Sequence, residues 1–381
     1  MKRLFILMFI LCAGLYSQGV EVNVRLFTGH KITSLTVGQA TGRYLLVSGD
    51  QELNMLSHGD AVSFRTGSTG IELIEDGKVT ATSGEFYLAA VALDNSLSLR
   101  VNGFSGREYE DHLILRYFKG EIRVINRIDL EKYVGGVVQA EAGGSTSLVE
   151  FFMVQAIVSR TYAMRLLMRN EKDFYLTDDV ANQVYKGKPV KAEILEAVRR
   201  TRGEVIFFGD TSLINAVFHS NSGGFTMSSG EVWVSSLPYL QPVVDSFSLG
   251  MRNAQWTHRM STIAWLDYLD KTYGYPVYND SMKQLALNYT QEQRVKDFHH
   301  QIPLVKIRQD LKLKSTFFDI TLDNNEVVFT GKGFGHGVGM SQEGAIRMAE
   351  LGYTPYDILK YYYTDVDIKP MGDLTILASV R

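Results

Sequence analysis

The sequence predicts an α+β protein, with a β-rich N-terminal module followed by a mixed α+β region. Three observations carry this expectation. The first third of the chain alternates apolar and polar residues with a period of two, and the middle third holds a helix that is apolar on almost every face. Beyond it, helices and strands interleave without regular βαβ units, which argues against a doubly wound sheet. The 381 residues are 45% hydrophobic and 21% charged, a globular balance that excludes extensive disorder and a multi-span membrane protein. A net charge of -3 leaves no electrostatic footprint for nucleic acid.

Residues 1–17 read as a secretory signal. Lys2 and Arg3 form a positive n-region, Leu4 to Leu15 an apolar stretch, and the cut falls near Ser17. The stretch is too short to span a bilayer, so no membrane span is expected after cleavage. Cys12, the only cysteine, lies inside this segment after Leu11, where a lipoprotein signal would want a small residue. The mature chain is then left without disulfides, thiolate metal ligands or a cysteine nucleophile. The expected location is exported, in the periplasm or cell envelope.

Residues 18–118 form the β-rich module. Val20–Leu26 alternates strictly, and shorter runs recur at Tyr44–Val47, Leu97–Val101 and Leu113–Tyr117. Ser48-Gly49-Asp50, Glu75-Asp76-Gly77 and Asn102-Gly103 supply turn chemistry between them. The second region, 119–381, opens with the strand Ile122–Ile125. Ser147 and Glu150 have capping-box spacing and predict a buried helix running to about Arg169. A further helix is expected from Lys191 to Arg202, stopped by Gly203. Strand Glu204–Phe208, turn Gly209-Asp210-Thr211 and strand Leu213–His219 read as a hairpin. Residues 250–325 read as a variable insertion with amphipathic helices around Ile263–Leu266 and Arg294–Phe298; its Trp256 and Trp265 either line a groove or pack a core. The chain closes with strand Glu326–Thr330, a glycine-rich loop, two short helices and strand Leu374–Val380.

Three segments could carry chemistry. Glu141 is a lone carboxylate in the glycine-bordered stretch Val137–Gly144, about one turn before the buried helix. Apolar surroundings would raise its pKa and make it a proton donor near neutrality, whereas a helix N-terminus would lower it. The competing reading is a helix cap or a solvated loop carboxylate. The second segment, Ala216–Thr226, ends a strand in a turn that can present hydroxyls and backbone N–H groups. Its serines lack the glycines of a nucleophile elbow, because His219 and Asn221 flank Ser220. The third, Gly331–Ala345, has five alternating glycines but neither G-x-G-x-x-G nor G-K-[ST], so nucleotide binding is unsupported. His336 within it is placed to bind a substrate or to make a structural hydrogen bond. The eight histidines include no H-E-x-x-H, and His299-His300 reads as lying solvated in a charged helix, so neither a metal nor another cofactor is expected.

Taken together, these pieces resemble the SpoIID/LytB family of bacterial cell-wall proteins. The matching pieces are Asp129–Val134 with Gly136–Glu141, Val154–Ala163, Gln183–Gly187, His219–Thr226, and Gly335–Gln342 with Gly344-Ala345, so the resemblance spans about Ile122 to Asp367. It implies peptidoglycan glycan strands as target. It also implies lytic transglycosylase chemistry, cutting the MurNAc-β-1,4-GlcNAc bond of peptide-free strands with 1,6-anhydroMurNAc formation. The family's catalytic glutamate falls on Glu141. The resemblance leads us to expect substrate contacts from His219, Ser220, Ser222, Gly223, Gly224, Thr226, Gly335, His336, Gly337 and Gln342. Arg160, Tyr162, Gln183 and Tyr185 are expected to support the Glu141 loop.

Two departures stand out. Leu176–Asn182 has neither Cys nor His where some relatives hold zinc, and Ala142-Gly143 replaces the Met-Pro of many relatives. The alternative the family implies is a non-catalytic, glycan-binding enhancer of a cell-wall amidase, with that amidase as partner.

Overall fold

The computed structural model describes residues 19–169, 175–233 and 235–373. The expected signal at 1–17, with Cys12, and the expected strand Leu374–Val380 lie outside the described residues. The chain divides into two compact units: residues 19–145 with 166–202, and residues 146–165 with 203–373. Helices α1 (Leu130–Ala142) and α3 (Ala192–Arg200) belong to the first unit, and α2 (Val149–Leu167) lies almost wholly in the second.

The first unit is built on strands β1 (Glu21–Leu26), β2 (Ser34–Thr41), β3 (Tyr44–Ser48), β4 (Gln51–Leu56), β5 (Ala61–Thr66), β6 (Ile71–Glu75), β7 (Lys78–Ser83), β8 (Glu85–Ala90), β9 (Ser96–Val101), β10 (Arg107–Glu110), β11 (His112–Phe118), β12 (Glu121–Asp129) and β13 (Leu176–Thr177). They form a seven-stranded sheet in the order β13-β1-β12-β11-β8-β3-β4 and a six-stranded sheet in the order β10-β9-β2-β5-β6-β7. The period-two pattern puts one face of each strand inside. Within β1, Val22, Val24 and Leu26 are buried while Glu21, Asn23 and Arg25 are not. The two sheets meet where Phe64 and Phe86 touch with ring centroids 5.3 Å apart. Of the turns read from the sequence, Asp76-Gly77 joins β6 to β7 with positive φ at both residues, as a tight hairpin demands.

Strand β12 runs directly into α1. Asp129 caps it, its Oδ1 accepting from the N–H groups of Glu131 and Lys132. One face of α1, including Tyr133, Val134, Gly136, Val137 and Val138, is buried. Gly136 is required there, because a Cβ would lie 2.4 Å from Tyr185 Cε2 and 2.5 Å from the Gly187 carbonyl oxygen.

The second unit carries β14 (Glu204–Phe208), β15 (Ser212–Leu213), β16 (Phe218–His219), β17 (Gln255–Ser261), β18 (Asp297–Phe298), β19 (Ile302–Pro303), β20 (Phe318–Asp323), β21 (Glu326–Lys332), β22 (Met340–Ser341) and β23 (Val366–Pro370). Its further helices are α4 (Ser229–Val232), α5 (Thr262–Tyr273), α6 (Asp280–Leu287), α7 (Leu304–Asp310), α8 (Gln342–Glu350) and α9 (Pro355–Tyr362). Helix α2 is buried through nearly its whole length, as its apolar circumference demands. It begins at Val149, two residues after Ser147, and ends at Leu167.

Three expectations are corrected here. The run Leu213–His219 is not one hairpin strand: only Ser212–Leu213 pairs with β14, and Phe218–His219 pairs in parallel with Met340–Ser341. Arg294–Phe298 is not a helix but an irregular segment ending in β18. Arg294 and Phe298 are both buried, the spacing that mimics a helix face, yet each is held by different partners. His299-His300 lies in a single 3-10 turn with His300 in the left-handed region, not in a charged helix. The stretch from Trp256 to Phe329 has its own core, in which Trp265 is fully buried with its N–H donating to Ala286, and Trp256 donates to Ser315. Both tryptophans therefore pack rather than line a groove.

Candidate functional site

In the first unit the expected acid, Glu141, occupies the last turn of α1 rather than a loop ahead of a helix. It therefore lies at the C-terminal, carbonyl end of its own helix, the end that disfavours negative charge. Its carboxyl is half-buried, and burial raises its pKa above the ordinary carboxylate value. The Val184 N–H and the charge of Lys186 oppose that rise without reversing it.

The N–H of Val184 donates to Glu141 Oε1 at 2.8 Å. An oxygen that accepts this bond is the poorer site for a proton, so the protonated form carries its hydrogen on Oε2. Among the described residues no protein group bonds Oε2. The carboxyl is thus oriented by one oxygen and left open at the other.

The segment that supplies Val184 is fixed against α1 from several sides. Tyr185 is fully buried and donates to Asn126 Oδ1 at 2.8 Å. Tyr133 donates to Gln183 Oε1 at 3.4 Å, and Gln139 Oε1 accepts from the N–H groups of Val190 and Lys191. Gln183, Tyr185 and Glu141 accordingly form one cluster.

The second unit gathers the two glycine-rich motifs. The parallel pairing of β16 with β22 lays His219–Thr226 beside Gly335–Gln342, and bridges at Asn221–Phe334 and Met227–Val338 extend it. Gly335 and Gly337 both have positive φ, and each is approached closely: a Cβ would meet His219 Cβ at 2.7 Å and Arg294 Nη1 at 1.8 Å, respectively.

Within this cradle the hydroxyls differ in access. Ser222 is fully buried; it donates to Asp245 Oδ2 at 2.7 Å and contacts Ser248 Oγ at 2.8 Å. Buried Thr226 accepts from the Val243 N–H, and buried Gly223 and Gly224 donate to Asn221 Oδ1 and to Ser222 and Ser248. Half-buried Ser220 accepts from Asn253 at 3.2 Å, and half-buried Gln342 donates to Gln155 on α2 at 3.2 Å.

The histidines are neutral by construction. His336 Nδ1 accepts from the Val338 N–H, so Nε2 carries the proton and donates to the Phe218 carbonyl at 3.0 Å. Burial, with Arg294 and Arg308 nearby, pushes its pKa down to about 4. His219 donates through Nδ1 to Val338 and leaves Nε2 buried without a partner; burial, with the Arg294 guanidinium nearby, holds its pKa well below the ordinary value. Of the two readings His336 admitted, its ring nitrogens fit the structural one, while its ring face lies 5.2 Å from the exposed Trp233.

On α2, buried Arg160 donates through Nη1 to the Glu204 carbonyl at 3.0 Å, tying α2 to β14; Tyr162 is half-buried on the same helix.

Sequence reasoning missed Asp245, Glu343, Asn253 and Arg294. Asp245 accepts from Ser222 and Tyr362, and Glu343 accepts from Asn221 and from the backbone and side chain of Asn253. Each is an isolated polar residue with no local pattern to mark it. Among the described residues no cluster of three or more His, Cys, Asp or Glu is arranged to hold a metal.

The fold and site define an α+β protein that couples one oriented, elevated-pKa carboxyl to a helix end and builds a glycine-rich polar cradle from two distant motifs. The model of the family described as Stage II sporulation protein (SpoIID) matches residues 118–208, the stretch that includes Glu141, Arg160, Gln183 and Tyr185. Stage II sporulation protein D of Bacillus amyloliquefaciens is 32% identical over 278 residues, covering 64% of this chain and 75% of that protein. Its counterpart in Bacillus subtilis is 31% identical over 264 residues, with the same shares, 64% and 75%. The amidase enhancer of Bacillus subtilis is 29% identical over 281 residues, which is 60% of this chain and 39% of that protein. The chain belongs to the SpoIID family.

Proposed function

We propose that this protein acts on the bacterial cell wall as a lytic transglycosylase, cleaving the MurNAc-β-1,4-GlcNAc bond of peptide-free glycan strands with Glu141 as general acid and base. The observation that carries the reading is the Glu141 carboxyl itself, pinned through Oε1 by Val184, open at Oε2 and with its pKa raised by burial.

One carboxyl is enough for this reaction. A hydrolytic glycosidase uses two, the second to activate water or to attack the sugar. Here the muramic C6 hydroxyl attacks C1 of its own ring, so no external nucleophile is positioned. Protonated Glu141 gives its proton to the oxygen leaving C1, and the resulting carboxylate then takes the C6 hydroxyl proton as the 1,6-anhydro ring closes. Both transfers use the same oxygen, Oε2.

The second unit carries, on its own, a polar cradle suited to glycan. Ser220 and Gln342, half-buried at its surface, and Trp233 beside His336 meet sugar groups. Ser222, Thr226, His219, Gly223 and Gly224 shape the cradle from beneath, because their polar groups face other protein atoms. The chain is exported to the periplasm or envelope, where such a substrate lies. No helix among the described residues is long and apolar enough to cross a membrane.

The test is Glu141→Gln, which keeps shape and removes the proton. Incubated with peptide-free glycan strands and followed by mass spectrometry, it should release anhydro-ended fragments about 10²–10⁴-fold more slowly than the parent. Release at the parental rate removes the assignment.

A second reading, a non-catalytic glycan-binding enhancer of an amidase, is favoured by the open groove of about 640 Å³ in the first unit. It is lined by Ser34, Thr36, Ser63, Arg65, Arg100 and Phe104, with other residues. Binding of glycan without any anhydro product would select it.

A further inference from the structure

A small cavity of about 60 Å³ in the second unit is walled by Arg308, Lys296, Thr316, Met227, Glu231 and His336, with neighbouring apolar residues. This is several times the roughly 10–15 Å³ that one water needs, so a carboxylate fits and a whole sugar ring does not. Its charge is unbalanced. Arg308 and Lys296 form no ion pair with any described residue, and Arg308 donates only through Nε, to the Leu313 carbonyl at 3.3 Å. Glu231, the acid on the wall, already accepts from the N–H and hydroxyl of Ser228 as a helix cap.

Arg294 adds a third cation. It directly precedes Val295 and Lys296, both on the wall, and its Nη1 occupies the space a side chain at Gly337 would take, next to His336. It is 6% exposed, its Nη2 donates to the Ser222 carbonyl at 3.0 Å, and Nε and Nη1 are buried without partners. Burying a guanidinium with open donors and no carboxylate is costly, and a cation cluster of this kind is stabilised by an anion.

We propose that this cavity is a carboxylate-binding pocket, with Arg308 and Lys296 as direct ligands and Arg294 reinforcing the positive field behind them. The planar fork of Arg308 suits a carboxylate, and Thr316 lines the same wall with a hydroxyl. The choice of physiological ligand rests on the cell-wall reading above: a muramyl residue stripped of its peptide exposes a lactyl carboxylate, which a glucosaminyl residue lacks and a peptide would cover. The pocket would then be the feature that admits peptide-free strands.

The experiment titrates the full-length protein with N-acetylmuramic acid, N-acetylglucosamine and lactate by ligand-observed NMR, with Arg308→Gln and Lys296→Gln as variants checked by circular dichroism. N-acetylmuramic acid should bind at least about tenfold more tightly than N-acetylglucosamine, lactate should compete with it, and Arg308→Gln should erase about tenfold of that preference. If Arg308→Gln fails to fold, Lys296→Gln, at an exposed position, serves the same purpose. Equal binding of the two sugars, absence of N-acetylmuramic acid binding, or a preference untouched by either folded variant overturns the proposal. Competition by lactate with no added gain from the sugar assigns the pocket to free carboxylates and overturns the muramyl ligand. Because the readout is binding, loss of glycan cleavage leaves this inference standing, and loss of discrimination leaves the cleavage reading standing.

Discussion

Replacing Gly136 by alanine tests the geometry that orients Glu141. In an unconstrained helix interior this change stabilises by about 1 kcal/mol, since alanine is the better helix former. Here the new methyl would sit 2.4 Å from Tyr185 Cε2 and 2.5 Å from the Gly187 oxygen, both closer than real Cβ contacts allow. Neither neighbour can yield easily. Tyr185 is fully buried and bonded to Asn126, and Gly187 has φ +96 and sits so close to the Glu108 carbonyl that a Cβ of its own would lie 2.1 Å from that oxygen. Overpacking of this kind costs about 3 kcal/mol, leaving a net loss of about 2 kcal/mol. That lowers the melting temperature of the first unit by about 4–8 °C in a calorimetric scan. The displaced segment also carries Val184, so the bond to Glu141 Oε1 lengthens and the carboxyl titrates at higher pH than in the parent. Gly135→Ala is the control: its methyl would meet Pro189 Cγ at 3.1 Å, a ring atom that can move a few tenths of an ångström. Gly144→Ala meets nothing within 4 Å. A Gly136→Ala protein as stable as the Gly135→Ala protein would refute the packing argument.

Three further outcomes follow from the charges and buried groups. Activity that depends on protonated Glu141 falls as pH rises through its pKa; Lys186 lowers that pKa, so Lys186→Gln should move the alkaline limb of the pH–rate profile upward, and a downward move contradicts it. His336 resists protonation when folded but takes a proton near pH 6.5 when unfolded, so its contribution is complete above about pH 6.5 and is lost as pH falls toward about 4, by at most about 3 kcal/mol. Urea midpoints measured across this window should fall with pH, and His336→Asn should flatten the slope. Asp245→Ala strands the buried hydroxyls of Ser222 and Tyr362 and should cost about 3 kcal/mol or more, with Asp245→Asn milder; equal melting of the two variants would mean that these bonds do not hold the cradle.

The sequence by itself determined the α+β class, the alternating strands of the first unit, the buried helix α2 and the motif set that marks the family, because these rest on short-range periodicity and on residue order. Glu141 as a candidate acid was also legible, through the motifs around it. Its setting was not. The strand-then-helix run from Glu121 to Ala142 put it at a helix end, and the donor that orients it, Val184, lies 43 residues away. The Leu213–His219 run alternates like a hairpin strand, yet β22, far along the chain, captured its end. Arg294 carried a helical spacing, but its guanidinium reaches a carbonyl 72 residues earlier. Burial, pKa and the balance of charge around a cavity depend on which distant segments are brought together, and local pattern holds no record of that. Tertiary structure alone decided that one carboxyl would be pinned on one side and open on the other, and that two cations would line a pocket whose single acid is already bound as a helix cap.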